Sequence, residues 1–283
     1  MSTKEDAPRY GGRALRNGVM MVGSHAVAVA VRQPDGRITT AVEPFSMPGR
    51  WAKDIPFLRG LVAIGGMLKL AGGTTKLENR MSTGSKVKNF LPQLAPGVGA
   101  ALAERLTREM AKKADDRMVV PIETVAGVAL PFLAFGVGGK LPGVRDLWRY
   151  HGAEHKAVNA AEAGLDLTPA NAGTMSRVHP RCGTVMAFWG LLGGALARSL
   201  IARMRDNRGK TIAGAVAGPL ILSTAYEAVR LGYAVRDNPV GKAVFTPVWN
   251  TQRMTTLEPG EEELEVAVAA LQAVIDYDRA HAA

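Results

Sequence analysis

The sequence predicts a mainly α-helical, polytopic membrane protein with a small N-terminal β-hairpin subdomain. Three observations lead there. Segments beginning at Val119, Thr184 and Thr211 each approach the ~20 apolar residues needed to cross hydrocarbon. Lys and Arg outnumber Asp and Glu by 35 to 25 in a chain of 283 residues, a net charge of +10, while aromatic residues make up 6%. That balance suits anionic lipid head groups better than nucleic acid, whose binders interleave basic and aromatic side chains on one face, and no sequence-specific nucleic-acid partner is expected. Finally, HAVAVAVRQPDGRITTAVEPF sets two runs of small and β-branched residues around Pro34-Asp35-Gly36, a hairpin pattern.

Taken in order, residues 1–12 read as a disordered lead-in that lacks the apolar core and cleavage site of a secretory signal, so insertion would use internal segments. Residues 13–54 form the β-rich subdomain, a scaffold. Within 55–118, the run from Ile55 to Thr75 is apolar but Gly-rich and broken by Arg59 and Lys69. It predicts a re-entrant or interfacial helix, and ALAERLTREMAKKADDR behind it predicts a charged surface helix. Residues 119–231 hold the three apolar segments as a membrane core, interrupted by Glu123, Arg198 and Glu227. Their Gly and Ala content suits close helix packing in lipid, although the uncharged runs fall short of ~18 residues and leave a bundle of buried soluble helices as the alternative. Between the second and third segments, Arg203, Arg205, Arg208 and Lys210 make a short basic loop of the kind kept on the cytoplasmic side. Residues 232–283 supply a loop and a closing amphipathic helix, whose opening acids in GEEELE complement a helix N-terminus.

Chemistry concentrates between His151 and Cys182, which holds three of the five histidines and the single cysteine. One cysteine excludes an internal disulfide. His151 and His155 lie four apart, so a helix puts them on one face with rings close enough to grip one ion, and Glu154 projects beside them. His179 and Cys182 follow in HPRCG, three apart, able to offer an imidazole and a thiolate to the same ion. The expected metal set is therefore His151, His155, His179 and Cys182, and the expected cofactor a divalent metal, zinc foremost. Glu227 would return to the same side if the third apolar segment crosses the membrane, as ligand, hydrogen-bond partner of a histidine or general base; pairing with Arg230 is the bland alternative. For the histidines the bland alternative is helix capping or carbonyl bonding, with Cys182 a small buried apolar residue.

These residues also carry a family resemblance. YGG at Tyr10–Gly12, GVMM at Gly18–Met21, the W-x-x-x-I-P-x-L-R-G run from Trp51 to Gly60, HGAEHK at His151–Lys156, HPRCGT at His179–Thr184 and T-x-E-P before the closing helix resemble the YqhQ-like family of bacterial membrane proteins. That family is of unknown function and is described as predicted metal-dependent enzymes. The resemblance spans nearly the whole chain and implies a multi-pass protein of the bacterial plasma membrane, with His151, Glu154, His155, His179 and Cys182 as its metal or catalytic positions. The chain departs from the pattern at Arg13 and Asn17, where Gln and Glu are expected, and lacks an expected acid after Gly60.

Two functions follow as expectations. In the first, a membrane-embedded metal-dependent hydrolase, the ligand set holds Zn2+ and Glu154 or Glu227 activates its water. In the second, a non-catalytic scaffold or assembly factor, either a closed four-ligand ion is structural or no metal is held, and basic loops dock anionic lipid or a soluble protein. A small transporter is a third, suggested by the Gly-rich broken helices and the acids within them.

Overall fold

The computed structural model describes residues 10–46, 50–52, 54–81 and 86–281. Its fold is mainly helical with a small N-terminal sheet. Strands β1 (Gly11–Leu15), β2 (Gly18–Val22), β3 (Ala26–Arg32) and β4 (Ile38–Pro44) form an antiparallel meander in chain order. The hairpin read around Pro34-Asp35-Gly36 is β3–β4, closed by Gly36 at φ 86°, a left-handed conformation that favours glycine. The β1–β2 hairpin was not expected. Its first strand begins at Gly11, inside the segment read as lead-in; residues 1–9 of that segment lie outside the described residues.

Both faces of the sheet are covered, which explains why AVAVAV is apolar at every position rather than alternating. Ala26, Ala28 and Ala30 face one layer with Val19 and Met21. Val27, Val29 and Val31 face the other with Leu15 and Met20. The alanine face receives helices α4 (Val144–Glu162) and α9 (Glu261–Ala280), small side chains letting the helices approach closely. On the valine face lies α1 (Leu58–Met81), through Leu70, Leu77 and Met81. The segment read as a re-entrant or interfacial helix is thus one uninterrupted helix against the sheet. The charged surface helix belongs to α2 (Lys86–Lys112), which packs on α3 (Asp116–Gly138).

Helix α3, with α6 (Gly183–Ala202) and α7 (Asn207–Ala234), contains the three apolar segments. By length and composition all three are able to cross a membrane, and only 11–17% of their most apolar windows is buried inside the protein. Val125, Leu196, Leu200, Ile212 and Leu220 stand exposed along them. The charges that interrupt them are paired: Glu123 accepts from the Ser199 hydroxyl at 2.5 Å, and Arg198 lies 3.8 Å from Glu104. Short α5 (Pro169–Thr174) and α8 (Pro239–Asn250) complete the chain. Thr168 caps the first of these, and Asn238 the second.

The closing helix is fastened at both ends. Glu263 accepts from the Gly260 N–H at 2.6 Å at its start. Near its end the buried Asp278 carboxylate accepts the N–H groups of Ser24 (2.7 Å) and His25 (2.9 Å) in the β2–β3 turn. Losing an acceptor for a buried donor costs about 1–3 kcal/mol per group. Asp278→Ala is therefore expected to lower the thermal midpoint of detergent-solubilised protein, and Asp278→Asn, which keeps one acceptor oxygen, to lower it less; equal midpoints for all three would refute this role.

Candidate metal centre

Helix α4 carries HGAEHK, and its four-residue spacing puts the rings of His151 and His155 on one face, 4.5 Å apart between centroids. What orients each ring comes from elsewhere in the chain. His151 Nδ1 lies 2.8 Å from the Thr255 carbonyl and His155 Nδ1 2.6 Å from the Arg177 carbonyl. A carbonyl only accepts, so both Nδ1 atoms donate and both Nε2 atoms are left to face another partner. Cys182 Sγ lies 3.4 Å from His151 Nε2, and one ligand atom from each of His151, His155 and Cys182 falls within 4.8 Å of the others.

Close backbone packing makes the first of these bonds possible. A Cβ at Gly152 would stand 2.1 Å from the Leu257 carbonyl oxygen. Only glycine lets the segment from Thr255 to Pro259 cross α4 here, where Leu257 N–H donates to the Trp148 carbonyl at 2.9 Å. The second bond depends on the 163–182 segment folding back along α4. Lys156 Nζ donates to the Gly173 carbonyl (2.8 Å) and pairs with Glu258 (2.5 Å), while the Asn159 amide donates to the carbonyls of Ser176 and Val178. Cys182 then caps α6, accepting from the Thr184 N–H at 3.4 Å, where the helix dipole favours a thiolate.

Charge in the cluster is ordered by contact. Burial alone would lower His155, but the charges of Cys182 and Glu154 outweigh it and raise its pKa to about 9. Burial alone would raise the Cys182 thiol, and His155 and His151 outweigh it and hold the thiol well below its ordinary range. The cluster thus pairs a thiolate with a protonated His155, whose proton a divalent cation would displace. Two pinned imidazoles and a thiolate fit a borderline-soft divalent cation: Zn–S near 2.3 Å and Zn–N near 2.0–2.1 Å at tetrahedral angles place sulfur and nitrogen about 3.5 Å apart.

Not every expected residue arrives. Glu154 does, buried, with its carboxylate 3.7 Å from His155 Nε2. His179 is placed elsewhere: its Nδ1 accepts from the Arg181 N–H at 3.3 Å, and its Nε2 faces the Glu162 carboxylate at 3.4 Å. The buried Gln252 side chain holds it there, accepting from His179 N–H and donating to its carbonyl, both at 2.9 Å. Glu227 is likewise not brought to the histidines. Its carboxylate accepts from Phe57 N–H (3.0 Å) and Arg59 Nε (2.8 Å) and pairs with the Arg59 guanidinium, because the α7 face bearing Ser223, Tyr226 and Glu227 lies against the start of α1 at Gly60. Of the two departures from the family pattern, Arg13 shares the strand face of Leu15, turned toward α1, and Asn17 lies in the β1–β2 turn. The supporting residues Asn159, Arg177, Gln252 and Thr255 were missed. All four act through backbone atoms or on backbone atoms across 17 to 104 residues, so no spacing rule marks them.

Glu162 accepts from Tyr233 Oη at 3.3 Å and pairs with Arg181. Burial alone would raise its pKa, and His179 and Arg181 outweigh it, lowering it to about 2. Its depressed value contributes stability that is present above the ordinary carboxylate pKa and is lost as pH falls from about 4.5 to about 2. Thermal midpoints of the wild type should fall across that window, and Glu162→Gln should flatten this part of the profile; parallel profiles would contradict the pairing.

The chain is 27% identical to the uncharacterized protein YqhQ of Bacillus subtilis (strain 168) over 310 aligned residues, covering 97% of this chain and 95% of that protein. No solved structure matches. The model of DUF1385, described as a protein of unknown function, matches residues 55–277, a span that takes in His151, His155 and Cys182 with all of their supporting contacts. On that match, the chain belongs to the DUF1385 family.

Proposed function

We propose that this chain is a multi-pass protein of the bacterial plasma membrane that holds a divalent metal, zinc foremost, on His151, His155 and Cys182 and acts as a hydrolase. The observation that carries the reading is the convergence of three ligand atoms with both imidazoles fixed through Nδ1. A membrane setting is supported by three helices of spanning length whose apolar faces the protein leaves uncovered. The site then lies at one end of these helices, beside the sheet layer, with the basic Arg203–Lys210 loop at the other end available to anionic lipid or a soluble protein.

Three ligands favour catalysis over a structural ion, because catalytic zinc keeps a fourth position open. Closing it with His179 would require that imidazole to leave Glu162 and the clamp of Gln252. When bound, zinc supplies a water of pKa near 7 and polarises a carbonyl or phosphoryl oxygen. Glu154 stands beside these residues, its carboxylate 3.7 Å from His155 Nε2, and would accept a proton there. His151 is only half-buried, unlike His155 and Cys182, and so marks the side by which water and substrate enter.

Purified wild-type protein should contain stoichiometric metal. His151→Ala, His155→Ala and Cys182→Ser should lose it, whereas His179→Ala and Glu227→Gln should keep it; a metal-free wild type from metal-replete cells sinks the proposal. Against a panel of ester, amide and phosphoester substrates, Glu154→Gln should retain the ion and lose about 100-fold or more of the turnover, the usual worth of a general base.

A further inference from the structure

Three contacts fix helix α8 and the turn behind it, Thr251–Met254, to the same end of all three apolar helices. Phe245 packs on Gly232, two residues from the end of α7, where an added Cβ would stand 2.8 Å from the ring. Met254 lies over Gly136, two residues from the end of α3, where an added Cβ would stand 3.8 Å away. Just beyond the turn, the Thr255 hydroxyl is 2.9 Å from that of Thr184, the second residue of α6. A segment held at the ends of three such helices lies across them. With 12 residues, about 18 Å, α8 is too short to be a span itself.

At about 100° per residue, the surface of α8 divides into three sectors. Phe245, Val248 and Trp249 are buried, in one cluster with Cys182 and Val185 at the start of α6. On a second sector Val240 and Val244 are 71% and 61% exposed, with Ala243 and Pro247 exposed beside them. The third carries Lys242, Thr246 and Asn250, all exposed. A helix on the surface of a soluble protein needs one apolar stripe, the one it buries. A second apolar stripe next to a polar one matches a helix with hydrocarbon on one side and water on another. Its start also suits a place short of water. Pro239 has no N–H to satisfy, and Asn238 Oδ1 accepts the next two, from Val240 at 2.9 Å and Gly241 at 3.1 Å.

We propose that α8 lies in the plane of the bilayer surface, with Val240, Ala243, Val244 and Pro247 against the acyl chains and Lys242, Thr246 and Asn250 among head groups and water. The partner is the lipid surface. What favours it over a protein is continuity: the uncovered apolar belt of the spanning helices reaches the level of α8, with Leu231 near the end of α7 56% exposed and Val137 at the end of α3 65% exposed. This rests on the membrane reading above and adds to it a lipid contact outside the spans. It also sets the depth of the candidate metal centre at the head groups, because Cys182 packs with α8 and the Thr255 carbonyl on His151 follows directly behind it.

The test uses single added cysteines, Val240→Cys and Val244→Cys on the apolar stripe and Lys242→Cys and Thr246→Cys on the polar one. Each is labelled with a nitrobenzoxadiazole fluorophore in full-length protein held in nanodiscs of phosphatidylcholine and phosphatidylglycerol. Wild type taken through the same labelling gives the background from buried Cys182. Lipids carrying a nitroxide near the head group should quench the labels at 240 and 244 more than those at 242 and 246, and more than lipids carrying it near the chain end do. Equal quenching at all four positions, or labels at 240 and 244 shielded from both nitroxides by a protein partner or a second copy, overturns the inference. Stronger quenching at 240 and 244 by the chain-end nitroxide also overturns it, since α8 would then lie within the hydrocarbon. A label at Leu220→Cys, midway along α7 and exposed, separates the two readings. Quenched by the chain-end nitroxide while 240 and 244 are not quenched, it removes only the seat of α8; unquenched itself, it removes the membrane reading as well.

Discussion

At Gly152 the backbone of residues 255–259 passes so close to α4 that no side chain fits between them. From that crossing follow the Thr255 carbonyl on His151, the Leu257 amide on the Trp148 carbonyl and the Glu258 carboxylate on Lys156. The same chain then turns at Pro259-Gly260 into α9, which closes the alanine face of the sheet. One close approach therefore couples the orientation of His151 to the packing of the core. A bulkier residue at 152 would be felt in both, since interiors pack too densely for either to shift alone.

The polar content of HGAEHK and HPRCG is unusual because so much of it is buried: Glu154, His155, Lys156 and His179 each lie within the protein. Buried polar groups are tolerable only when partnered. Here the partners are mostly backbone carbonyls and amides, supplied by a loop folded onto α4 and by the segment before α9. Carbonyl partners fix ring orientation without adding charge and leave Nε2 of each imidazole on the side of Cys182. Two carboxylates then do separate work. Glu154 stays beside His155, and Glu162 is committed to Arg181, His179 and Tyr233.

The helical layer poses the opposite problem, apolar surface with too little protein to cover it. Along α3, α6 and α7 the outward residues are Leu, Ile and Val, while the acids at 123 and 227 are turned inward onto Ser199 and Arg59. Such an arrangement is stable where the surrounding medium is itself apolar. It also places the His151–His155–Cys182 cluster at the junction between the sheet layer and the start of α6.

The sequence by itself determined the elements that rest on periodicity and local chemistry. These are the β3–β4 hairpin from its turn residues, the three apolar helices, the closing helix with its acidic start, and the pairing of His151 with His155 from a four-residue spacing. Cys182 was legible too, because a lone cysteine close to the histidines is conspicuous. Tertiary structure alone decided which candidates meet. His179, three residues from Cys182, is held off by Gln252 from 73 residues away. Glu227 is claimed by Arg59 across 168 residues. The β1–β2 hairpin escaped notice because GVMM, covered on both faces, shows no alternation. Spacing along one element is dictated by backbone geometry and can be read from the chain; which side chain wins a contact between elements depends on charge and packing supplied from far away in sequence, and no local pattern records that.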